Sequence, residues 1–190
     1  LEFRRVLFRS PRKGFDKTIA GWAQVHQAHP DAHLLIIGDG PQRAELQAMA
    51  DASPAAASIT LAGALDDAEL LAAYRSASLF VMPNRTMPDG DTEGFGLVFL
   101  EANACGRAVI GGRAGGAVEA VRDGESGLLV NGENVAEIAE AIKRVLGDDA
   151  LRGRLEAGAL RHAQANSWEN RVRLFQDLCR KLQQTGEKNV

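Results

Sequence analysis

The hydrophobic pattern switches between short unbroken apolar runs and longer stretches in which apolar residues recur every three or four positions. The runs are His33-Leu34-Leu35-Ile36-Ile37-Gly38, Ile59-Thr60-Leu61-Ala62-Gly63, Ser78-Leu79-Phe80-Val81-Met82-Pro83, Ala108-Val109-Ile110-Gly111-Gly112 and Leu128-Leu129-Val130. Such runs, flanked by turn formers, read as strands covered on both faces, as in a parallel sheet. Between them lie helical stripes: Ile19, Trp22, Ala23 and Val25; Leu70, Leu71 and Tyr74; Phe95, Val98, Phe99 and Ala102; Ile138, Ile142, Val145 and Leu146. Asp16 stands where it would cap the first, and Asp66 with Glu69 and Asn134 with Glu137 have capping-box spacing. Pro41 is suited to the first turn of the helix after the strand at 33–38. Strands alternating with helices predict an α/β fold, a doubly wound, Rossmann-like parallel sheet with helices on both faces. From Asp149 onward the chain reads as helix. There Trp168, Val172, Phe175, Cys179 and Leu182 form an apolar seam behind a cap at Asn166 and Glu169.

Composition narrows this only a little. The 190 residues are 45% apolar, enough for one well-cored domain, and a net charge of −3 argues against a general nucleic-acid binder. No apolar run approaches the roughly 18 residues of a membrane span and no secretory leader is visible, so the cytoplasm is the expected location. Cys105 and Cys179 lie far apart, and His26, His29, His33 and His162 lack ligand spacing. Neither a zinc site nor a disulfide framework is expected. Residues 1–10 are locally basic, with Arg4, Arg5 and Arg9, and read as an atypical leader, either a solvated segment or a scar from cloning or read assembly. Phe3, Val6 and Phe8 offer at most a makeshift edge strand.

The stretch richest in chemistry is Glu93-Gly94-Phe95-Gly96-Leu97-Val98-Phe99-Leu100-Glu101. Its stripe predicts a helix from about Gly94, whose first N–H groups lack partners and sit at the positive end of the helix dipole. That makes an anion site between two carboxylates, which suits a ligand carrying a diphosphate with hydroxyls on either side: a sugar, a diphosphate and a ribose. Asp89 and Asp91, in the loop at 84–92, invite a metal reading. A second candidate lies at Gly38, Gly40 and Ala44, a loose dinucleotide fingerprint that would make the chain an NAD(P)-dependent dehydrogenase domain. The next strand, at 59–63, ends without the acid that would hold a ribose, which counts against it.

Glu93, seven residues and Glu101, with Gly-Phe-Gly after the first Glu, resemble the signature of retaining GT-B glycosyltransferases of glycosyltransferase family 4. Val81-Met82-Pro83-Asn84 before it, Glu101-Ala102-Asn103-Ala104-Cys105-Gly106 after it and Pro11-Arg12-Lys13-Gly14-Phe15-Asp16 are similar too. The likeness runs from about Pro11 to Leu182 and is greatest toward phosphatidylinositol mannosyltransferases that use GDP-mannose. It implies the C-terminal, nucleotide-sugar-binding half of a GT-B fold: a leader at 1–10, a donor domain at 11–165 and a crossover helix and tail at 166–190. It implies transfer of mannose from GDP-mannose to a lipid or glycan acceptor, without metal or other cofactor. Catalytic roles fall to Glu93 and Lys13. Donor contacts fall to Arg12, Lys13, Gly63, Ala64, Leu65, Glu93, Gly94, Phe95, Gly96, Leu97, Val98 and Glu101, with Gly115 and Gly116 as secondary candidates. Glu93 would orient sugar hydroxyls, Glu101 would hold the ribose and Lys13 would meet the diphosphate. The family's first phosphate-binding arginine has no counterpart here. The family's acceptor domain is expected to be missing, so the chain alone should bind donor without transferring it. Membrane association would come through that other domain, and the seam of the last helix would cross to it or drive self-association. A non-catalytic nucleotide-sugar-binding module is the other reading.

Overall fold

A computed structural model describes residues 10–186. Among the described residues five strands form, four of them within a predicted run: β1 (Leu34–Ile37), β2 (Ile59–Gly63), β3 (Phe80–Met82) and β4 (Val109–Gly112), while β5 (Gly127–Val130) begins one residue before its run. All pairings are parallel. Among the described residues the sheet is in two pieces, β1-β2 and β3-β4-β5. Leu34–Ile37 and Leu79–Val81 line one apolar cavity of about 430 Å³, together with Phe15, Trp22 and Tyr74. The makeshift strand read into residues 1–9 lies outside the described residues.

Among the described residues there are eight α-helices: α1 (Phe15–Ala28), α2 (Arg43–Asp51), α3 (Asp67–Ser76), α4 (Leu97–Ala104), α5 (Ala117–Ala120), α6 (Val135–Gly147), α7 (Asp149–Ala165) and α8 (Trp168–Gly186). One core cluster joins Ile19, Trp22 and Val25 of α1 to Ile138, Ile142 and Val145 of α6 and to Ile36 and Ile110 of the strands. A second gathers Met82, Phe99, Ala102, Val109 and Val121 around α4. Phe99 is fully buried at its centre, with its ring edge-on to Phe80.

The helix ends correct several expectations. Asp66 and Glu69 do form a reciprocal capping box at α3. Asn134 caps α6 through the Glu137 amide, but Glu137 turns its carboxylate toward Arg113 instead of back to the cap. Asp16 caps nothing: Gly14, at φ 75°, is the N-cap of α1, and Asp16 faces Arg85. Gly14 is needed there because a Cβ would lie 2.1 Å from the Pro83 carbonyl oxygen. Pro41 sits in the turn before α2, whose N-cap is Gln42. Ser167, not Asn166, receives an amide at the start of α8, while Asn166 closes α7. On α8, Trp168, Val172, Phe175 and Leu182 are exposed. No described helix is long and apolar enough to cross a membrane.

Candidate functional site

The carboxyl ends of β3, β4 and β5 converge, which is where open α/β sheets bind ligands. The chain leaving β3 is held first. Asn84, fully buried, accepts the Gly112 amide at 3.0 Å and donates to the Ala114 carbonyl at 2.8 Å. Gly112 and Gly132 permit this approach, since a Cβ on either would stand 1.6 or 2.4 Å from the Asn84 carbonyl oxygen. Arg85 follows, buried, and makes a two-pronged pair with Asp16 at 2.8 and 3.0 Å plus a contact to Glu133 at 3.1 Å. The loop at 86–92 then closes on itself through the Met87 amide to the Asp91 carbonyl and a Thr86–Thr92 hydroxyl pair. The backbone is therefore delivered to Glu93 from a rigid root.

Glu93 is buried and pinned from behind, its carbonyl accepting the Gly116 amide at 2.8 Å. A Cβ on Gly115 would lie 2.4 Å from the Glu93 carbonyl oxygen and one on Gly116 2.1 Å from that of Gly94. This glycine pair thus backs the Glu93 segment by close packing. In front, Glu93 Oε2 forms a buried ion pair with Lys13 Nζ. Lys13 ends a 3-10 turn, Pro11–Lys13, which its neighbour Arg12 ties to the loop by accepting the Arg85 amide on its carbonyl. The Arg12 guanidinium pairs with Asp91 at 3.1 Å, and its Nε lies 3.9 Å from Glu93 Oε2. That Nε is buried without a hydrogen-bond acceptor, so the cluster still has a donor to offer an oxyanion.

The helix expected from Gly94 begins at Leu97. Gly96, at φ 81°, is its N-cap in the left-handed region, and residues 94–96 are irregular backbone. A Cβ on Gly96 would meet the Phe99 ring at 2.7 Å and Glu93 Cγ at 3.5 Å, which places Glu93 beside the start of α4. The Phe99 amide is taken by the Gly96 carbonyl, while those of Leu97 and Val98 are the orphan donors of the first turn. Leu97 is half exposed and Phe95 packs into the second core cluster. Glu101, half-buried further along α4, accepts the Tyr74 hydroxyl at 3.3 Å.

The structure therefore brings Arg12, Lys13, Glu93 and the start of α4 together. Gly63 is the last residue of β2, with Ala64 and Leu65 directly after it, and among the described residues no hydrogen bond or ion pair joins these three to that cluster. Asp66, the first acid after β2, is engaged in its cap, so the dinucleotide reading gains no ribose ligand there. Asp89 accepts the Asp91 amide and Asp91 faces Arg12, so these two carboxylates serve the loop. Arg85 and Asn84 were not legible as site residues. Their partners lie far off in sequence, 69 positions for Arg85 and Asp16, and no local spacing announces them.

Residues 8–162 match the family described as Glycosyl transferases group 1. The chain belongs to that family. Among curated relatives of this glycosyltransferase chain, the GDP-mannose-dependent alpha-(1-6)-phosphatidylinositol monomannoside mannosyltransferase of Mycolicibacterium smegmatis is 39% identical over 86% of the chain and 43% of its own length. The D-inositol 3-phosphate glycosyltransferase of Acidothermus cellulolyticus is 37% identical over 85% of the chain and 37% of its length. The chain thus spans less than half the length of these curated relatives. Among solved structures, sucrose-phosphate synthase from Thermosynechococcus elongatus superposes with a TM-score of 0.75 at 32% identity, over 93% of this chain and 44% of that one. The α/β architecture with parallel sheets is that of GT-B glycosyltransferases.

Proposed function

We propose that the chain is the nucleotide-sugar-binding half of a retaining glycosyltransferase that takes mannose from GDP-mannose and places it on a lipid or glycan acceptor. The observation that carries this is the clustering of Arg12, Lys13 and Glu93 beside the orphan amides of Leu97 and Val98, with an unsatisfied Arg12 Nε among them. Two cations and a helix N-terminus form an oxyanion site. They would take up the negative charge that grows on the leaving diphosphate. Glu93 accepts sugar hydroxyls, and Glu101, beyond it on α4, accepts those of the ribose. By family resemblance the bond exchange takes place on one face of the sugar and is assisted by the donor's own phosphate. Gly63, Ala64 and Leu65 belong to the base side of the same donor.

Guanine and mannose are favoured by the mannosyltransferase relative at 39% identity, whose name specifies GDP-mannose. A lipid acceptor is favoured by that same name, which specifies a phosphatidylinositol monomannoside, while the second relative's name gives D-inositol 3-phosphate. Acceptor binding is assigned to a second domain, which the exposed apolar strip of α8 would meet; without it the strip favours self-association. Calorimetric titration with GDP-mannose, UDP-glucose and NADH tests the reading. Saturable sugar-nucleotide binding, weakened by both Lys13→Ala and Glu101→Ala, supports it, and the preferred nucleotide identifies the base. Binding of NADH alone would overturn it.

A further inference from the structure

Both cations of the cluster are already neutralised by carboxylates of one short segment: Lys13 by Glu93 and Arg12 by Asp91. A diphosphate that approaches them must therefore displace a carboxylate, and the two differ in how firmly they are held. Glu93 is 11% exposed at its side chain, its backbone is bonded to Gly116, and glycines 115 and 116 close the space behind it. Asp91 is 46% exposed at its side chain and sits on a loop whose tip, Pro88 to Gly90, is exposed. Its two oxygens reach Arg12 at 3.1 and 3.4 Å, and among the described residues no other side chain of the loop beyond Arg85 is bonded to the turn at Pro11–Lys13. Arg12, for its part, keeps the buried Nε that Asp91 leaves unsatisfied.

We propose that Asp91 is an internal competitor for the donor's diphosphate: its carboxylate holds the Arg12 guanidinium until a phosphate oxygen exchanges for it, while Glu93 stays in place for the sugar. This rests on the donor-site reading above. The exchange has two consequences. Asp91 sets donor affinity without touching donor, and the loop at 86–92 loses its tie to Arg12 when donor arrives, which couples donor binding to the surface beside the sugar.

The experiment measures binding of GDP-mannose and of inorganic pyrophosphate by calorimetry at fixed ionic strength, on the wild type, Asp91→Asn, Lys13→Ala, Arg12→Gln and the Arg12→Gln/Asp91→Asn double variant. Glu119→Gln serves as the charge control, since it removes one negative charge from an exposed position on α5. The expected result is that Asp91→Asn binds both ligands about two- to fivefold more tightly, the range a partly exposed ion pair is worth. Glu119→Gln should stay near wild type, and Asp91→Asn should have no effect once Arg12 is Gln. Unchanged or weaker binding by Asp91→Asn overturns the inference, as does equal tightening by Glu119→Gln or tightening that persists without Arg12. Tightened pyrophosphate binding with no binding of sugar nucleotides upholds the role of Asp91 and sinks the donor reading alone. Lys13→Ala weakening both ligands while Asp91→Asn changes nothing does the reverse. Absence of binding of both ligands in wild type and Asp91→Asn alike overturns both.

Discussion

Lys13→Met is the most informative single change, because it removes a buried ammonium and keeps a side chain of similar length. In the wild type Lys13 and Glu93 are both nearly inaccessible, and their charges face each other directly. Removing one partner of a buried pair costs about 3–5 kcal/mol, mostly because the remaining charge stays desolvated. Here Arg12 Nε, 3.9 Å from the same carboxylate oxygen, retains part of the attraction, so the lower end, about 3 kcal/mol, is expected. For a domain of this size each kcal/mol moves the melting temperature by about 2–4 °C, so the variant should melt about 6–12 °C below the wild type. Glu93→Gln should cost less, because the long Lys13 stem lets its head move toward water. The double variant Lys13→Met/Glu93→Gln should be more stable than Lys13→Met alone, since it leaves no unpaired buried charge. All three should lose donor binding. Scanning calorimetry with a donor titration on each protein tests this. A Lys13→Met protein that melts within 2 °C of wild type and still binds donor would refute the reasoning.

Other outcomes follow from the same geometry. Asn84→Ala leaves the Gly112 amide and the Ala114 carbonyl without their partner, so urea unfolding should show a loss of about 2–4 kcal/mol. Gly116→Ala puts a Cβ 2.1 Å from the Gly94 carbonyl oxygen and must push the Glu93 segment forward. Donor affinity should fall by roughly tenfold, equivalent to about 1.4 kcal/mol of misplacement. His162 is buried on α7, where its Nε2 donates to the Ala120 carbonyl and its Nδ1 accepts from Asn166. Burial is the main cause that pushes its pKa below the ordinary 6.5; the Ala120 bond opposes it and the Arg122 charge adds to it. The neutral ring is the folded form, so its contribution is whole above pH 6.5 and is lost as pH falls from there through the folded pKa. Unfolding free energies measured from pH 7.5 to 5 should decline more steeply in wild type than in His162→Leu.

The strand pattern was readable because a parallel strand packed in a core is mostly apolar, and each of the five apolar runs overlaps a strand, although Leu35 of β1 and Thr60 of β2 are exposed where cover on both faces was expected. The division of the sheet was not, since the pairing of β1 with β2 and of β3 with β4 depends on contacts that no local spacing encodes. The site was legible as far as glycines and charges lie in one short text. Glu93 and Gly96 could be named from that text and Lys13, 80 positions away, from the family resemblance, and they come together. The start of α4 was misread by three residues because apolar periodicity cannot show that Gly96 adopts φ 81°. Asp16 looked like a cap because Asp is a favoured cap and it stands just before an apolar helical stripe, and only the fold reveals that Arg85 has the stronger claim on it. Gly115 and Gly116 illustrate the limit most clearly. Their value lies in what presses against them, the carbonyls of Glu93 and Gly94, and a sequence does not display that.

The central claim is that a diphosphate sits at the start of α4 between Arg12, Lys13 and Glu93. Amide NMR on the 15N-labelled chain, titrated with GDP-mannose, tests it directly. The account predicts the largest shifts at the amides of residues 94–98 and at Arg12 and Lys13, with smaller ones at 63–65, and their loss in Lys13→Ala. Shifts centred on Gly38, Asp39 and Gly40, with residues 94–98 unmoved, would contradict it.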